Sequence, residues 1–297
     1  MRPLRLAGIL LIVVALPAWS QRGRQRGAPN DTTIAFGRGG TIAITATSGD
    51  IVVTGSSRSD VRVRTTSGRA RIRLDAPGKR LEIDPADDRS EDVALEVSVP
   101  LGMRIIVRSV DGEVTIRGTE GDVDARTQSG NIHVQGGSGH VDLNSLSGDL
   151  VGRDLKGGVA AQTIGGEIQL MHVSGDVSAQ TVSGDVTLHD ITSRSVRAQS
   201  TSSDVTFDGA IDPSGRYELS SHSSDVTISI PSTASARISV ATWNGTVDSD
   251  FPITLRPGER RPGAGKNQEF SFDIGGGGAR ISLQTFSGDI TIHRRGN

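Results

Sequence analysis

The segment Ser183-Gly184-Asp185-Val186-Thr187-Leu188 is the clearest copy of a short unit that recurs through the middle of the chain. A glycine returns every nine residues from Gly112 to Gly184, and an apolar residue stands two positions after each of these glycines. A turn that leads into a short alternating strand, repeated at a fixed period, is typical of a β-solenoid. The spacing therefore predicts stacked coils rather than one globular core.

Two columns of residues are predicted to point into the coils. The first stands two positions after each repeat position and continues beyond Gly184 as Val196, Val205, Tyr217, Val226, Ile238 and Val247. The second stands two positions further on and mixes large and small residues: Ile116, Ala125, Val134, Leu143, Gly152, Ala161, Leu170, Ala179, Leu188 and Ala198. Large and small side chains that alternate can interdigitate inside a narrow coil. We expect successive coils to lie about 4.8 Å apart, the spacing of paired strands.

The spacing changes beyond Gly184 in a regular way. Equivalent positions fall at Gly184, Arg194, Ser203, Gly215, Ser224, Ala236 and Gly245, so every second step stays at nine residues while the others lengthen. This predicts an all-β, single-domain solenoid with two-strand coils of about 18–21 residues. Each coil then has one short turn, here called the tight edge, and one turn of changing length, here called the variable edge.

Partner binding is predicted at the variable edge, because loops there change length without disturbing the strands. The candidate residues are Asp190, Arg194, Asp208, Ser214, Ile230 and Ser235.

A further column stands two residues before each tight-edge glycine or its substitute. Its members are Val110, Gln128, Leu146, Ile164, Val182, Thr201, His222, Trp243 and Phe286. Such a column is either an exposed ridge for a partner or a corner of the core. Of the two, we predict the core position.

The N-terminus has the pattern of a secretory signal peptide over residues 1–20. Arg2 and Arg5 precede an apolar run from Leu6 to Leu16, and small residues follow at Ala18 and Ser20. The apolar run is too short to span a bilayer. We therefore expect an exported protein that is periplasmic, secreted or on the cell surface, with no transmembrane segment after signal removal.

The rest of the chain divides into a linker and one repeat domain. Residues 21–40 are predicted to be a basic flexible linker, and residues 41–293 a β-solenoid. Within the solenoid we distinguish irregular first coils at 41–109, regular coils at 110–250, a loop at 251–268 and closing strands at 269–293. The charges of His293, Arg294 and Arg295 are expected to protect the last edge of the stack.

Composition excludes several classes of function. The net charge of −2 is close to neutral and argues against general nucleic-acid binding. The chain has no cysteine, so neither a disulfide framework nor a lipid-anchored cysteine is possible. No cofactor is predicted.

Metal binding is also not predicted from the linear pattern. Calcium-binding β-rolls need Gly-Gly-x-Gly-x-Asp, whereas here a single glycine precedes Asp50, Asp122, Asp149, Asp176, Asp185 and Asp289. We expect these short side chains to satisfy backbone groups of the turns. The six histidines share no coil position, and no His-Glu-x-x-His motif occurs.

Two segments beside the repeats carry a family resemblance. The segment Ala94–Pro100, the many Ser-Gly-Asp-Val units and the segment from Gly275 to Ile290 resemble the bacterial putative adhesins, a family of exported β-strand-repeat proteins of unknown function. The likeness covers roughly Thr41 to Ile292. It implies an exported envelope or surface β-solenoid, and it offers no catalytic residues to transfer.

The sequence thus favours an exported, non-catalytic scaffold or adhesion module whose partner is an envelope, cell-wall or surface ligand. A polysaccharide-active β-helix enzyme is the alternative, although such enzymes cluster carboxylates on one face and this chain disperses them. A self-assembling envelope solenoid, through self-association, is a third possibility.

Overall fold

The structure is a computed structural model that describes residues 31–37, 39–67, 70–75, 80–85, 94–253 and 268–295. The predicted signal peptide, residues 21–30 of the predicted linker and residues 254–267 of the predicted loop lie outside the described residues. The remainder of the predicted linker differs from expectation, because Asp31–Ala35 forms a strand that pairs antiparallel with the strand at Asp60–Thr65.

The described chain consists of strands joined by turns. In the first part these are β1 Asp31–Ala35, β2 Thr41–Ala46, β3 Ile51–Ser56, β4 Asp60–Thr65, β5 Ala70–Asp75, β6 Arg80–Pro85, β7 Leu95–Pro100 and β8 Arg104–Ser109. The regular part contains β9 Val114–Thr119, β10 Val123–Arg126, β11 Ile132–Gly137, β12 Val141–Asn144, β13 Leu150–Leu155, β14 Val159–Gln162, β15 Ile168–Val173 and β16 Val177–Gln180. The last part contains β17 Val186–Ser200, β18 Val205–Ser221, β19 Val226–Pro231, β20 Ala236–Thr242, β21 Val247–Ser249, β22 Gln268–Ile274, β23 Ala279–Thr285 and β24 Ile290–Arg295. Within these ranges no helix is long and apolar enough to cross a membrane.

The strands form two ladders that enclose one core. The first ladder runs β1, β4, β7, β3, β9, β11, β13, β15, the start of β17, the start of β18, β19, β24 and β21. The second runs β5, β6, β2, β8, β10, β12, β14, β16, the ends of β17 and β18, β23, β20 and β22. Val123 lies beside Val141, 18 residues later, and Val205 lies beside Val226, 21 residues later. This spacing confirms two-strand coils of 18 to 21 residues.

Both predicted inward columns are buried. Val186 and Leu188 are 0% exposed, whereas Thr187 between them is partly exposed, as strand alternation requires. Val247, near one end of the stack, is only partly buried. A third inward column at the variable edge was not predicted; it includes Leu155, Val173, Ile191 and Ile230.

The tight edge is stabilised by a column of inward hydroxyl groups. The Thr163 hydroxyl accepts a hydrogen bond from the Gly166 amide at 3.3 Å and donates one to the Gly148 carbonyl of the preceding coil at 3.1 Å. The same pair of bonds recurs at Ser145, Thr181, Ser200 and Ser221. These hydroxyls satisfy turn groups that the strand ladders leave unpaired.

Close approach of the coils explains why glycine recurs. A Cβ atom added to Gly166 would lie 2.1 Å from the Gly148 carbonyl oxygen. The residue after the glycine has a separate role: Oδ1 of Asp149 accepts a hydrogen bond from the Glu167 amide of the next coil at 2.9 Å. The same bond recurs at Asp50, Asp122, Asn131, Asp185, Asp204, Asp225 and Asp289. This confirms the prediction that the side chains satisfy backbone groups of the turns for Asp50, Asp122, Asp149, Asp185 and Asp289. For Asp176 it stays a prediction.

The order of the coils departs from chain order near both ends of the stack. The coil formed by β2 and β3 lies between the coil of β6 and β7 and the coil of β8 and β9. The coil of β23 and β24 lies between the β18–β19 coil and the β20–β21 coil. The outermost strands there are β21 and β22 rather than β24. The pairing of β24 with β21 covers only Ile290 to Ile292, whereas His293, Arg294 and Arg295 are registered only with β19 among the described strands, so their role in protecting an edge stays a prediction.

Candidate functional site: the two edges of the solenoid

The column of nine residues at the tight edge lies on the surface, so the predicted core position is wrong. All nine residues are exposed, and the six large apolar members, Val110, Leu146, Ile164, Val182, Trp243 and Phe286, are between 43% and 51% exposed. We call this column the tight-edge ridge. Its apolar members form two runs, Leu146, Ile164 and Val182 on three successive coils and Phe286 with Trp243 on two, which are separated by Thr201 and His222. Gln128 separates Val110 from the first run.

Strand alternation explains why the ridge points outward. Along β14 and the following turn, Ala161 and Thr163 are buried while Gln162 and Ile164 are exposed. The inward position at the corner is occupied by the hydroxyl that satisfies the glycine amide and carbonyl. The apolar neighbour must therefore face solvent. The recurrent Thr or Ser directly before each ridge residue was the sequence signal for this arrangement.

The backbone keeps the ridge in register. The amide that follows each ridge residue donates to the carbonyl of the ridge residue in the neighbouring coil, as between Ser183 and Ile164 at 2.9 Å and between Asn244 and Phe286 at 2.9 Å. At one end of the ridge three rings stack. His222 and Phe286 have centroids 5.1 Å apart, and Phe286 and Trp243 have centroids 6.2 Å apart with planes 1° from parallel. The exposed side chains are thus held in a fixed, repeating array.

A shallow groove lies beside the ridge on the second ladder. Its polar wall is a column of outward amides, Asn144, Gln162, Gln180 and Gln199, and its apolar rim is Ile164 with Val182. No carboxylate is among the described residues that line it. An amide both donates and accepts hydrogen bonds, so the groove presents uncharged polar groups along an apolar rim.

At the variable edge, Arg194, Asp208 and Ser214 take part in contacts within the chain. Arg194 Nε lies 3.1 Å from Asp212 Oδ2. Ser214 donates to Asp212 Oδ1 from its hydroxyl at 2.7 Å and from its amide at 2.9 Å. These bonds from Ser214, together with Arg194, hold the pKa of Asp212 below its usual range. The contacts stabilise the longer turns of the coils.

Tyr217 fills the inside of one of the lengthened turns. Its hydroxyl donates to the Ser193 carbonyl at 2.7 Å and accepts from the Asp212 amide at 2.8 Å, and its ring packs edge-on against Phe207 with centroids 5.7 Å apart. Burial raises the pKa of Tyr217. The first inward column here carries a polar atom because the lengthened turn leaves backbone groups to satisfy.

Two other predicted edge residues are less available to a partner. Ile230 is 0% exposed and packs in the core, so its side chain cannot contact a partner. Ser235 accepts a hydrogen bond from the Gly276 amide at 3.0 Å. Partner binding at the variable edge stays a prediction.

The structure also brings together charged residues that the sequence search treated as dispersed. Asp190 and Asp208, from neighbouring coils, both pair with the Arg295 guanidinium, with Arg295 Nη1 lying 3.1 Å from Asp208 Oδ1. His189 lies beside both carboxylates, with Nδ1 2.9 Å from Asp208 Oδ2. The guanidinium of Arg295 is the largest influence that lowers the pKa of Asp190 below its usual range. Linear spacing missed this cluster because its members come from different coils.

Comparisons with known proteins identify a family. A family model described as Toastrack DUF4097 matches residues 87–293, which is more than half of the chain. No curated protein matches the sequence.

Solved structures that match the chain include a putative adhesin from Bacteroides fragilis, at 13% identity and a TM-score of 0.40, covering 88% of this chain and 95% of that one. A putative lipid binding protein from Parabacteroides distasonis has 13% identity and a TM-score of 0.41, covering 90% and 98% of the two chains. A putative cell adhesion protein from Clostridium sporogenes has 11% identity and a TM-score of 0.22, covering 90% and 100%.

Proposed function

Since the chain belongs to the Toastrack DUF4097 family, we propose that it is an exported, non-catalytic β-solenoid that acts as a scaffold or adhesion module of the cell envelope or surface. The single observation that carries this proposal is the tight-edge ridge. Isolated exposed apolar residues are ordinary, but a contiguous apolar feature on a soluble surface marks an interaction site. The longest apolar run of the ridge, Leu146, Ile164 and Val182, extends over three successive coils along the stack, so its partner is an extended molecule.

The residues that line the groove beside the ridge indicate which kind of molecule binds there. Amides such as Gln162 and Gln180 can hydrogen-bond hydroxyl groups, while Ile164 and Val182 can pack on apolar C–H surfaces. A glycan chain of the envelope or cell wall offers both kinds of surface along its length. The uncharged lining also favours binding over glycoside hydrolysis, which uses a pair of carboxylates beside the bond that is cleaved.

The test is binding of the purified protein to insoluble cell-wall polysaccharide and to peptidoglycan in a sedimentation assay. The double variant Ile164→Ser and Val182→Ser removes two neighbouring apolar side chains of the ridge. We expect it to lose most of the bound fraction at a protein concentration that half-saturates the wild type. Its unfolding midpoint should be unchanged, because both side chains are already exposed.

A matched variant at the opposite edge locates the surface. Shortening the turn between Asp208 and Ser214 alters the variable edge and leaves the ridge intact. If this variant binds as much polysaccharide as the wild type, the result supports the ridge as the binding surface. Loss of binding in the shortened variant, with binding retained in the ridge variant, would instead place the partner at the variable edge. Binding by neither the wild type nor any variant would reject a glycan partner.

A further inference from the structure

The charged cluster at the variable edge has the arrangement of a metal site. One ligand atom from each of His189, Asp190 and Asp208 lies within 4.8 Å of the others. His189 Nδ1 is 2.9 Å from Asp208 Oδ2, and His189 Nε2 is 3.4 Å from Asp190 Oδ2. The imidazole is therefore held between carboxylates of two neighbouring coils.

A second imidazole approaches the same carboxylate from the preceding coil. His172 Nε2 lies 3.3 Å from Asp190 Oδ2, and His172 Nδ1 lies 3.3 Å from Asp154 Oδ1. Both histidines thus direct Nε2 toward one oxygen of Asp190 and Nδ1 toward another carboxylate. His172 thus contacts the same Asp190 oxygen as His189, but it lies outside the group of His189, Asp190 and Asp208, whose ligand atoms are all within 4.8 Å of one another.

The backbone places these side chains on one line. Asp154, His172 and Asp190 have φ values of 58°, 54° and 51°, and Gly118 and Gly136 hold the same position in the earlier coils at 63° and 70°. The kink in each coil is the same, so the side chains leave successive coils in the same place. Non-glycine residues in this region cost more than glycine. At this position the chain has Asp154, His172 and Asp190, although glycine would adopt the same backbone conformation more favourably.

We propose that His189, Asp190 and Asp208 form a site for a divalent transition-metal ion such as Zn²⁺. A tetrahedral ion bound at about 2.0–2.1 Å separates neighbouring ligand atoms by roughly 3.4 Å. The distance of 3.4 Å between His189 Nε2 and Asp190 Oδ2 matches this edge length. Imidazole ligands favour Zn²⁺, Ni²⁺ or Cu²⁺ over Ca²⁺ and Mg²⁺, which prefer oxygen.

Arg295 is the internal cation that such an ion must compete with. Its guanidinium pairs with Oδ1 of Asp190 and Oδ1 of Asp208, which leaves Oδ2 of each carboxylate toward the imidazoles. Removing this charge should strengthen attraction of a divalent ion to the cluster, because like charges close together repel. A purely structural ion-pair network gives no reason for the Arg295→Gln variant to bind metal better.

Titration calorimetry with ZnCl₂ near neutral pH tests the proposal, and CaCl₂ serves as the comparison ion. We expect the wild type to bind Zn²⁺ and not Ca²⁺. The variant His189→Ala should bind at least tenfold more weakly, Asp208→Asn roughly tenfold more weakly, and Arg295→Gln more tightly than the wild type. The control is His133→Ala, which removes a partly exposed histidine whose Nε2 lies 3.9 Å from a carboxylate oxygen of Glu113, away from the cluster.

Thermal melts recorded on the same samples establish that each variant is folded. An unchanged Zn²⁺ affinity in His189→Ala, or equal losses in His189→Ala and His133→Ala, would overturn the site. Lack of Zn²⁺ binding by both the wild type and Arg295→Gln would overturn it as well. The readout is metal binding alone, so the result is independent of whether the ridge binds a glycan.

Discussion

A single methyl group placed at two adjacent glycines tests how closely the coils approach at the tight edge. Gly165 and Gly166 lie in the same turn. A Cβ on Gly165 would have its nearest neighbour, the Leu146 carbonyl oxygen, at 3.8 Å, which is an ordinary contact. A Cβ on Gly166 would lie 2.1 Å from the Gly148 carbonyl oxygen. The two substitutions are chemically identical, and only one of them forces the coils apart.

The expected loss of stability in Gly166→Ala follows from the hydrogen bonds that join this turn to the equivalent turn of the preceding coil. Relieving the clash in Gly166→Ala requires a shift of about 0.9 Å, since real Cβ contacts are essentially never shorter than 3.0 Å. Three hydrogen bonds would be stretched: Gly165 amide to Leu146 carbonyl at 3.0 Å, Thr163 hydroxyl to Gly148 carbonyl at 3.1 Å, and Glu167 amide to Asp149 carboxylate at 2.9 Å. At about 0.5–1.5 kcal/mol each, their loss costs on the order of 3 kcal/mol.

The free energy of unfolding from urea melts, followed by circular dichroism, measures both variants. Gly166→Ala should lose on the order of 3 kcal/mol. Gly165→Ala should be neutral or gain up to about 1 kcal/mol, because alanine restricts the unfolded chain more than glycine does. If the two variants were destabilised equally, the close approach of the coils would not be the reason for the glycine repeat.

Three further outcomes are expected. Val186→Asp buries an unpaired carboxylate and should cost several kcal/mol in denaturant melts, whereas the outward Thr187→Asp should cost less than about 1 kcal/mol; equal costs would contradict the assigned faces. Tyr217→Phe leaves a buried carbonyl and amide without their partner, and should cost about 1–3 kcal/mol in the same assay; a neutral result would show that water replaces the hydroxyl. The pKa of Asp190 is lowered from 3.8, mainly by Arg295. The stability that ionised Asp190 contributes is therefore complete above its pKa in the unfolded chain and is lost as pH falls through the lowered pKa of the folded protein. The free energy of unfolding should fall less steeply on the acid side in Arg295→Gln than in the wild type, and an identical slope would refute the role of Arg295.

The repeat architecture could be predicted from the sequence because its signal is local and repeated. Each coil contains its own turn glycine and its own inward residues, so one period determines the faces of all coils. Val186 and Leu188 are an example. Because strand side chains alternate between two faces, the sequence after the turn predicts that both point inward, and both are buried.

The sequence predicts the ridge on the wrong side, because hydrophobicity alone favours a buried position for a residue such as Ile164. Ile164 is more hydrophobic than Thr163, yet only one of two adjacent residues can point inward at this corner. The turn needs a hydroxyl there to pair the Gly166 amide and the Gly148 carbonyl. Hydrogen-bond satisfaction of the backbone, rather than hydrophobicity, decided the orientation.

The histidine–carboxylate cluster and the order of the end coils could not be predicted for a different reason. Both depend on which coil lies next to which, and near-identical repeats carry little information on that. Asp190 and Arg295 are far apart in the sequence and meet only because β24 pairs with β19. A linear search for metal motifs examines spacing within a segment and does not detect such neighbours.

Insertion of β23 and β24 between earlier coils bears on how the protein folds. In an ordinary solenoid each coil can be added to a finished edge, so folding proceeds along the chain by local steps. Here the coil of β20 and β21 cannot reach its final neighbour until a later segment occupies the space beside the β18–β19 coil. The same constraint applies to β2 and β3 at the other end. Completing either end therefore requires contacts between distant segments, which makes these the slow steps of folding, while the middle coils can form early.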